Sequence, residues 1–338
     1  MSRGSQVMPG ATLEPTMQSE SEGRPPGPVA GPASESGPGA HDSQLTRDQL
    51  QREVEETLTA GGAAFGHGTA DACDEAAWLV SHLTGRHPVL DPWDGSRLVE
   101  PDAANRARSL ARERLETRKP LAYLIHEAWF AGRRYYVDER VLVPRSPIAE
   151  LIEEHFWPWV PAGRVRRVLD LCAGSGCIGI ACAHAFPGAR VDLGELSGGA
   201  IEVARLNIRR HGLGDRVKAV ASDLFSGLAG ETYDLIVSNP PYVGDAEMRS
   251  LADEYHHEPE LGLSGGKDGL QLVRRIIAEA RSHLNPGGVL VVEVGNSEVA
   301  LVDAMPALPF IWMDFEFGGH GVFVLEVDQL PAEILPEQ

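Results

Sequence analysis

Val168-Leu169-Asp170-Leu171-Cys172-Ala173-Gly174-Ser175-Gly176-Cys177-Ile178-Gly179 reads as an apolar strand that runs into a glycine-rich turn and then a helix. Gly174 and Gly176 permit backbone conformations and a closeness of approach that side chains would block, so a bulky ligand can lie across the turn. This strand, turn and helix form the opening unit of an open α/β sheet, which binds ligands outside the carboxyl ends of its strands. Similar glycine spacing also lies over the pyrophosphates of nicotinamide and flavin cofactors. Here Asp170 stands at the strand end, where it would repel a pyrophosphate and suit the ammonium of a methionyl group. That favours S-adenosylmethionine as the ligand.

Working outward, strands are expected at Arg167 to Leu171, Arg190 to Leu193, Val217 to Ala221, Asp234 to Ser238 and Val289 to Val294, with helices between most of them. The alternation predicts a parallel, doubly wound sheet. A helix is expected from Pro147 to about Trp159. Two last apolar runs, Phe310 to Phe315 and Val322 to Val327, are joined only by Glu316 to Gly321, too short for a helical crossover, so they should pair antiparallel. Glu195 ends the second strand, where a carboxylate can accept both hydroxyls of a ribose. Asp223 follows the third, placed to accept from an adenine amino group, with Leu224 or Phe225 to pack near its ring.

The fourth strand stops at Asn239-Pro240-Pro241-Tyr242. A side-chain amide followed by two prolines presents acceptors, not donors, because proline has no N–H. Such a turn suits a planar NH2 group whose lone pair must be aimed at an electrophile: Asn239 takes one hydrogen and a backbone carbonyl, that of Pro240, takes the other. Tyr242 offers a flat face against the substrate plane. Asn239 therefore counts toward catalysis, substrate binding and the cofactor site together, Pro240 and Tyr242 toward catalysis, and Pro241 with them toward substrate binding.

Upstream of the sheet, residues 1–44 are rich in Pro, Gly, Ser and Glu and are expected to be disordered. Helical periodicity over residues 45–122 (Leu50, Val54, Leu58; Ala76, Leu79, Val80, Leu83; Ala107, Leu110, Leu115) predicts a small helical domain. Within it His67, His82 and His87 have no partner at useful spacing, so solvated or capping roles are expected. Residues 123–145, with Ala128-Trp129-Phe130 and Arg134-Tyr135-Tyr136-Val137 around Gly132, read as a β-hairpin linker to a catalytic domain at 146–330. Cys73, Cys172, Cys177 and Cys182 lack zinc-ligand spacing and are expected as small buried thiols, with no metal site. His256 and His257 are adjacent on an irregular stretch and should point apart, without a catalytic part. No apolar run is long enough to cross a bilayer, which suggests a cytoplasmic protein. The formal charge of −19 argues against a nucleic-acid duplex as main partner and favours a basic protein client.

Taken together, Asp170-Leu171 before Gly174-Ser175-Gly176 and then Asn239-Pro240-Pro241-Tyr242 resemble the HemK-like glutamine N5-methyltransferases, over about residues 46 to 327. Val143 to Ile152 and Tyr255 to Leu263 are most similar to the ribosomal-protein (PrmB-type) branch of that group, and Ser146-Pro147 differs from the usual release-factor form. The resemblance implies a class I S-adenosylmethionine-dependent methyltransferase fold: a seven-stranded, mostly parallel sheet with an antiparallel C-terminal hairpin, beside a helical substrate-recognition domain. It also implies methyl transfer to a glutamine amide of the third large-subunit ribosomal protein, with Arg145 and Glu258 shaping the pocket mouth or simply pairing. Two departures stand out. Glu195 replaces the usual Asp, and Ser197-Gly198-Gly199-Ala200 replaces a common Ser-Pro-Asp-Ala, which should loosen that helix start by about 1 kcal/mol. Release-factor methylation, adenine-N6 methylation of nucleic acid and a noncatalytic ribosome-assembly role are the alternatives. The nucleic-acid reading needs a basic groove that the sequence does not supply.

Overall fold

The protein, seen as a computed structural model, is described over residues 44–86, 91–161 and 163–332. The tail expected at 1–44 lies, apart from Gln44, outside the described residues, as does His87. Three helices come first, α1 (Arg47–Ala60), α2 (Ala72–Leu83) and α3 (Pro101–Thr117). Thr46 starts α1 with a capping box: its hydroxyl accepts the Gln49 N–H at 3.3 Å, and Gln49 Oε1 accepts the Thr46 N–H at 2.8 Å. The apolar stripes converge, so that Leu50, Val54 and Leu58 share one core with Ala76, Leu79, Val80, Ala107 and Leu110. That core also contains Val141, Val143, Ala200 and Val203, which joins the helices to the sheet region through common apolar packing.

A short helix, α4 (Leu121–Ile125), leads into the antiparallel hairpin of β1 (Ala128–Phe130) and β2 (Arg133–Tyr135). The helix expected from Pro147 to about Trp159 is α5 (Ile148–Glu153), and it ends early. Two residues cause this: His155 and Phe156 take positive φ, which turns the backbone and drops the Phe156 ring into the core, fully buried. Pro158 further disfavours helical backbone at Trp157.

The large sheet has β3 (Arg167–Leu171), β4 (Arg190–Glu195), β5 (Val217–Ala221), β6 (Tyr233–Ser238), β7 (Leu284–Glu293), β8 (Ile311–Trp312) and β9 (Val322–Glu326), in the order β5-β4-β3-β6-β7-β9-β8. Strands β3 to β7 run parallel, and β9 pairs antiparallel with both β7 and β8. This is the seven-stranded class I methyltransferase architecture that the sequence implied. Side chains alternate between two cores: Leu235, Val237, Val289 and Val291 face one, and Ile236, Leu290 and Val292 the other. Burial on both faces is why these strands read as unbroken apolar runs. The helices α6 (Cys177–Ala185), α7 (Gly198–Arg210), α8 (Asp245–Met248), α9 (Gln271–Ala280) and α10 (Glu298–Ala304) complete the fold. The strand order reverses direction between β3 and β6, which opens a crevice at their carboxyl ends.

Helix α7 begins at the glycine pair. Ser197 caps it by accepting the Ala200 N–H at 3.3 Å. Gly198 occupies the first helical position, a Cβ there meets nothing within 4 Å, and its N–H has no hydrogen-bond partner among the described residues. Ser197 at φ −75° and ψ 120° already has the backbone that precedes proline. Gly198→Pro is therefore expected to stabilise the fold by about 0.4–1 kcal/mol, seen as a higher calorimetric midpoint. A lower midpoint would contradict this helix start.

Candidate functional site

The crevice is a cavity walled by the turn after β3, the ends of β4 and β6, and the loop that precedes α5. Gly174 lies on its floor with φ +53° and open space where a Cβ would point. Gly176 works differently: a Cβ there would come 2.9 Å from the Leu193 side chain, so glycine lets α6 pack against β4. Glu195 reaches back over this turn from the end of β4. Its carboxylate accepts the Gly174 N–H at 2.8 Å and the Ser197 N–H at 2.8 Å, so it is held in place while lining the cavity. Leu224 is buried and lines the same wall. Asp223 also lines it, exposed, and pairs with Arg275 at 3.0 Å, a partner the sequence did not suggest.

Asp170 is placed otherwise than expected. It does not line the cavity; it is 1 % exposed, beneath the turn, with Oδ2 accepting the Gly179 N–H at 2.8 Å and Oδ1 without a partner. The register explains this, because Asp170 sits opposite Val237, one residue short of the strand end. Burial, aided by the charge of Glu195, pushes its carboxyl up to about 8. The folded state thus holds a proton that the unfolded chain releases near pH 3.8, so this group's contribution to stability falls as pH rises from about 4 to 8. Asp170→Asn should flatten that slope, which this one group can make as steep as about 1.4 kcal/mol per pH unit, in urea titrations at pH 5, 6, 7 and 8. An unchanged slope would mean that Asp170 ionises normally.

At the end of β6, Asn239 and Pro241 line the cavity, whereas Pro240, expected to offer its carbonyl there, is buried and is not among the lining residues. Neither the Asn239 carboxamide nor the Pro240 carbonyl has a hydrogen-bond partner among the described residues. Tyr242 corrects an expectation, for it is not part of the cavity wall. Its hydroxyl donates to Glu293 at 2.8 Å, its ring lies against Gly295, and its carbonyl accepts from Ser297 at 3.1 Å. Glu293, at the end of β7, accepts a second hydrogen bond from Ser146 at 2.5 Å, and its burial raises its pKa. Tyr242 therefore anchors the acceptor turn to the sheet.

Arg145 lines the cavity and forms a two-pronged pair with Glu258, at 2.6 and 2.8 Å. Glu258 is buried outside the cavity and also accepts the Val143 N–H at 3.0 Å, which makes it the orienting partner of Arg145. His67, expected to be solvated, is buried. It lies against Tyr255, the rings tilted by 50° with centroids 4.2 Å apart, 3.8 Å from Glu258, and burial lowers its pKa to about 4, so it is neutral at pH 7. Deeper still, Arg114 donates to Glu75 at 2.9 Å, to Glu254 at 3.2 Å and to the Ala64 carbonyl at 2.7 Å. The segment Asp253–Glu258, just beyond the acceptor turn, is thereby strapped to α2 and α3. His257 Nε2 lies 2.8 Å from the Thr117 carbonyl. Cys177 and Cys182 are buried, but Cys73 is exposed near Gln51, against expectation, because it falls on the outward face of α2. Among the described residues no cluster of His, Cys, Asp or Glu could hold a metal ion, and no helix is long and apolar enough to cross a membrane.

The family model described as "Methyltransferase small domain" matches residues 153–256. A ribosomal protein uL3 glutamine methyltransferase from Francisella tularensis is 46% identical over 286 residues, covering 84% of this chain and 90% of that protein. Proteins of the same name from Xylella fastidiosa and Bordetella pertussis are 45% and 44% identical, covering 87% and 85% of this chain and 94% and 96% of their own lengths.

Proposed function

The chain belongs to the ribosomal protein uL3 glutamine methyltransferase family, and on that footing we propose that it methylates the side-chain amide nitrogen (N5) of a glutamine in that large-subunit ribosomal protein. The observation that carries this reading is Asn239: a carboxamide without a hydrogen-bond partner among the described residues, facing a cavity floored by a glycine turn. S-adenosylmethionine, when bound, supplies a methyl group on a positively charged sulfur, which the amide nitrogen accepts as the carbon–sulfur bond breaks. The residues present fit that ligand. Gly174 leaves open space at the turn, Glu195 is a fixed carboxylate acceptor for ribose hydroxyls, and Leu224 with Asp223 makes an apolar wall ending in an acceptor. Asp170 takes part from beneath, by holding the Gly179 N–H and hence the turn.

Asn239 Oδ1 and the Pro240 carbonyl each accept one N–H of the substrate amide, which fixes its plane and turns the nitrogen lone pair toward the methyl group. No strong base is needed. Once the nitrogen has gained its methyl it is far more acidic, and the extra proton passes by these acceptors to water. Pro241 and Arg145 border the amide's entry, with Arg145 held by Glu258. The helices α1 to α3 act as the substrate-recognition domain and reach the site through the Asp253–Glu258 strap.

The test is incubation with labelled S-adenosylmethionine and, in parallel, uL3, a release factor and DNA. Label on a glutamine of uL3 is the expected result; label on DNA alone would replace this reading with base methylation, and no label anywhere with a binding role.

A further inference from the structure

Phe317 is the most exposed of the large apolar side chains among the described residues, at 83 %, and the backbone that carries it is hydrogen-bonded. It tips the turn between β8 and β9. The N–H groups of Glu316 and Phe317 both donate to the Glu150 carboxylate of α5, at 2.9 and 3.1 Å. Gly319 lies so close to Pro147 that a Cβ would come within 2.7 Å of it, and His320 Nε2 lies 3.0 Å from Asn296 Oδ1, whose amide in turn donates to Glu247 at 2.9 Å. The turn is thus fixed to Pro147 and Glu150, next in the chain to Arg145 and Ser146 of the cavity wall, and is tied through Asn296 to Glu247 of α8. An aromatic ring held in water on a turn whose backbone is already fixed can meet a partner at little ordering cost.

The charge around the ring selects the partner. The segments 147–157 and 310–322 contain Glu150, Glu153, Glu154, Asp314 and Glu316 and no Lys or Arg, and Arg145, two residues before the first of them, is already paired with Glu258. We propose that Phe317 is a docking residue for the protein substrate: an apolar anchor set in acidic stretches of chain that seats an apolar group in a cationic region of the substrate while the glutamine enters beside Arg145. This rests on the glutamine-methyltransferase reading and adds a contact on the sheet domain to that of the helices.

Steady-state kinetics with purified uL3 test it. Phe317→Ser is expected to raise KM for uL3 about tenfold or more with kcat at saturation unchanged, Phe317→Leu to restore most of the affinity, and Glu316→Lys to raise KM and weaken its salt dependence. The affinity for S-adenosylmethionine and the thermal midpoint should stay as in the unsubstituted protein. An unchanged KM in Phe317→Ser, with the parent enzyme labelling uL3, overturns the docking role alone. If Phe317→Ser dissociates a dimer in sedimentation and leaves KM unaltered, the occupant is a second copy and the proposal fails. No labelling of uL3 by the parent enzyme removes the reading beneath it as well.

Discussion

Asn239→Ala is expected to lower kcat for glutamine methylation by about 10²- to 10³-fold, the usual loss when one preorganised polar contact to the reacting group is deleted. Affinity for the cofactor should scarcely move. The Asn239 carboxamide holds up nothing: no other described residue bonds to it, and the turn behind it is fixed by the Tyr242–Glu293 and Tyr242–Ser297 hydrogen bonds. Its removal thus leaves the glycine turn and Glu195 where they are. On the proposed geometry it takes away one of two acceptors for the substrate N–H bonds, so the amide is held at one point only and the lone pair loses its aim. Asn239→Asp keeps an acceptor oxygen in the same place and should fall between the parent and the alanine variant. Single-turnover rates with uL3 and cofactor titrations by calorimetry decide the matter. An alanine variant with near-normal turnover would show that orientation comes from elsewhere in the pocket.

Tyr242, three residues on, reads in sequence like part of the substrate's bed and is in fact a tether. The sequence carries a strong signal wherever local pattern and placement coincide. Val168 to Gly179 announces its strand, turn and helix because each residue's role is set by immediate neighbours, and Glu195 and Asn239 lie at strand ends, where the fold rule alone puts them in the crevice. Legibility stops where a partner is distant. Glu293 and Ser146 are separated by 147 positions, Arg145 and Glu258 by 113, and Arg114 and Glu254 by 140, and no local pattern links such pairs. Asp170 shows a subtler limit. Its nearness to the glycine turn is readable, but whether its carboxyl faces ligand or core depends on one residue of strand register. His67 reads as solvated because its cover, Tyr255 and Glu258, arrives from the far side of the sequence.

Arg114 is the position where a single substitution should cost most stability. The side chain is 1 % exposed and divides its guanidinium among Glu75, Glu254 and the Ala64 carbonyl. A buried cation among buried carboxylates adds little net stability when complete, since desolvation offsets attraction, but taking out one member strands the others. Arg114→Met leaves two carboxylates facing each other under α3, with only the Ala64 N–H at 2.9 Å, Thr69 at 3.4 Å and the half-exposed Arg118 at 3.5 Å to compensate. The expected loss is about 3–5 kcal/mol by denaturant unfolding. Arg114→Met combined with Glu75→Gln should lose less than Arg114→Met alone, because one stranded charge is gone; an equal or greater loss would mean that the packing of the arginine stem, and not charge, dominates. Function should follow stability here. Glu254 and Glu258 lie one turn apart on the same strap, and Glu258 orients Arg145 at the cavity, so loosening the Glu254 end frees the Glu258 end that positions Arg145. In conditions where Arg114→Met remains folded, its KM for uL3 should rise while its cofactor affinity holds, because the strap reaches the cavity through Arg145 and not through the glycine turn.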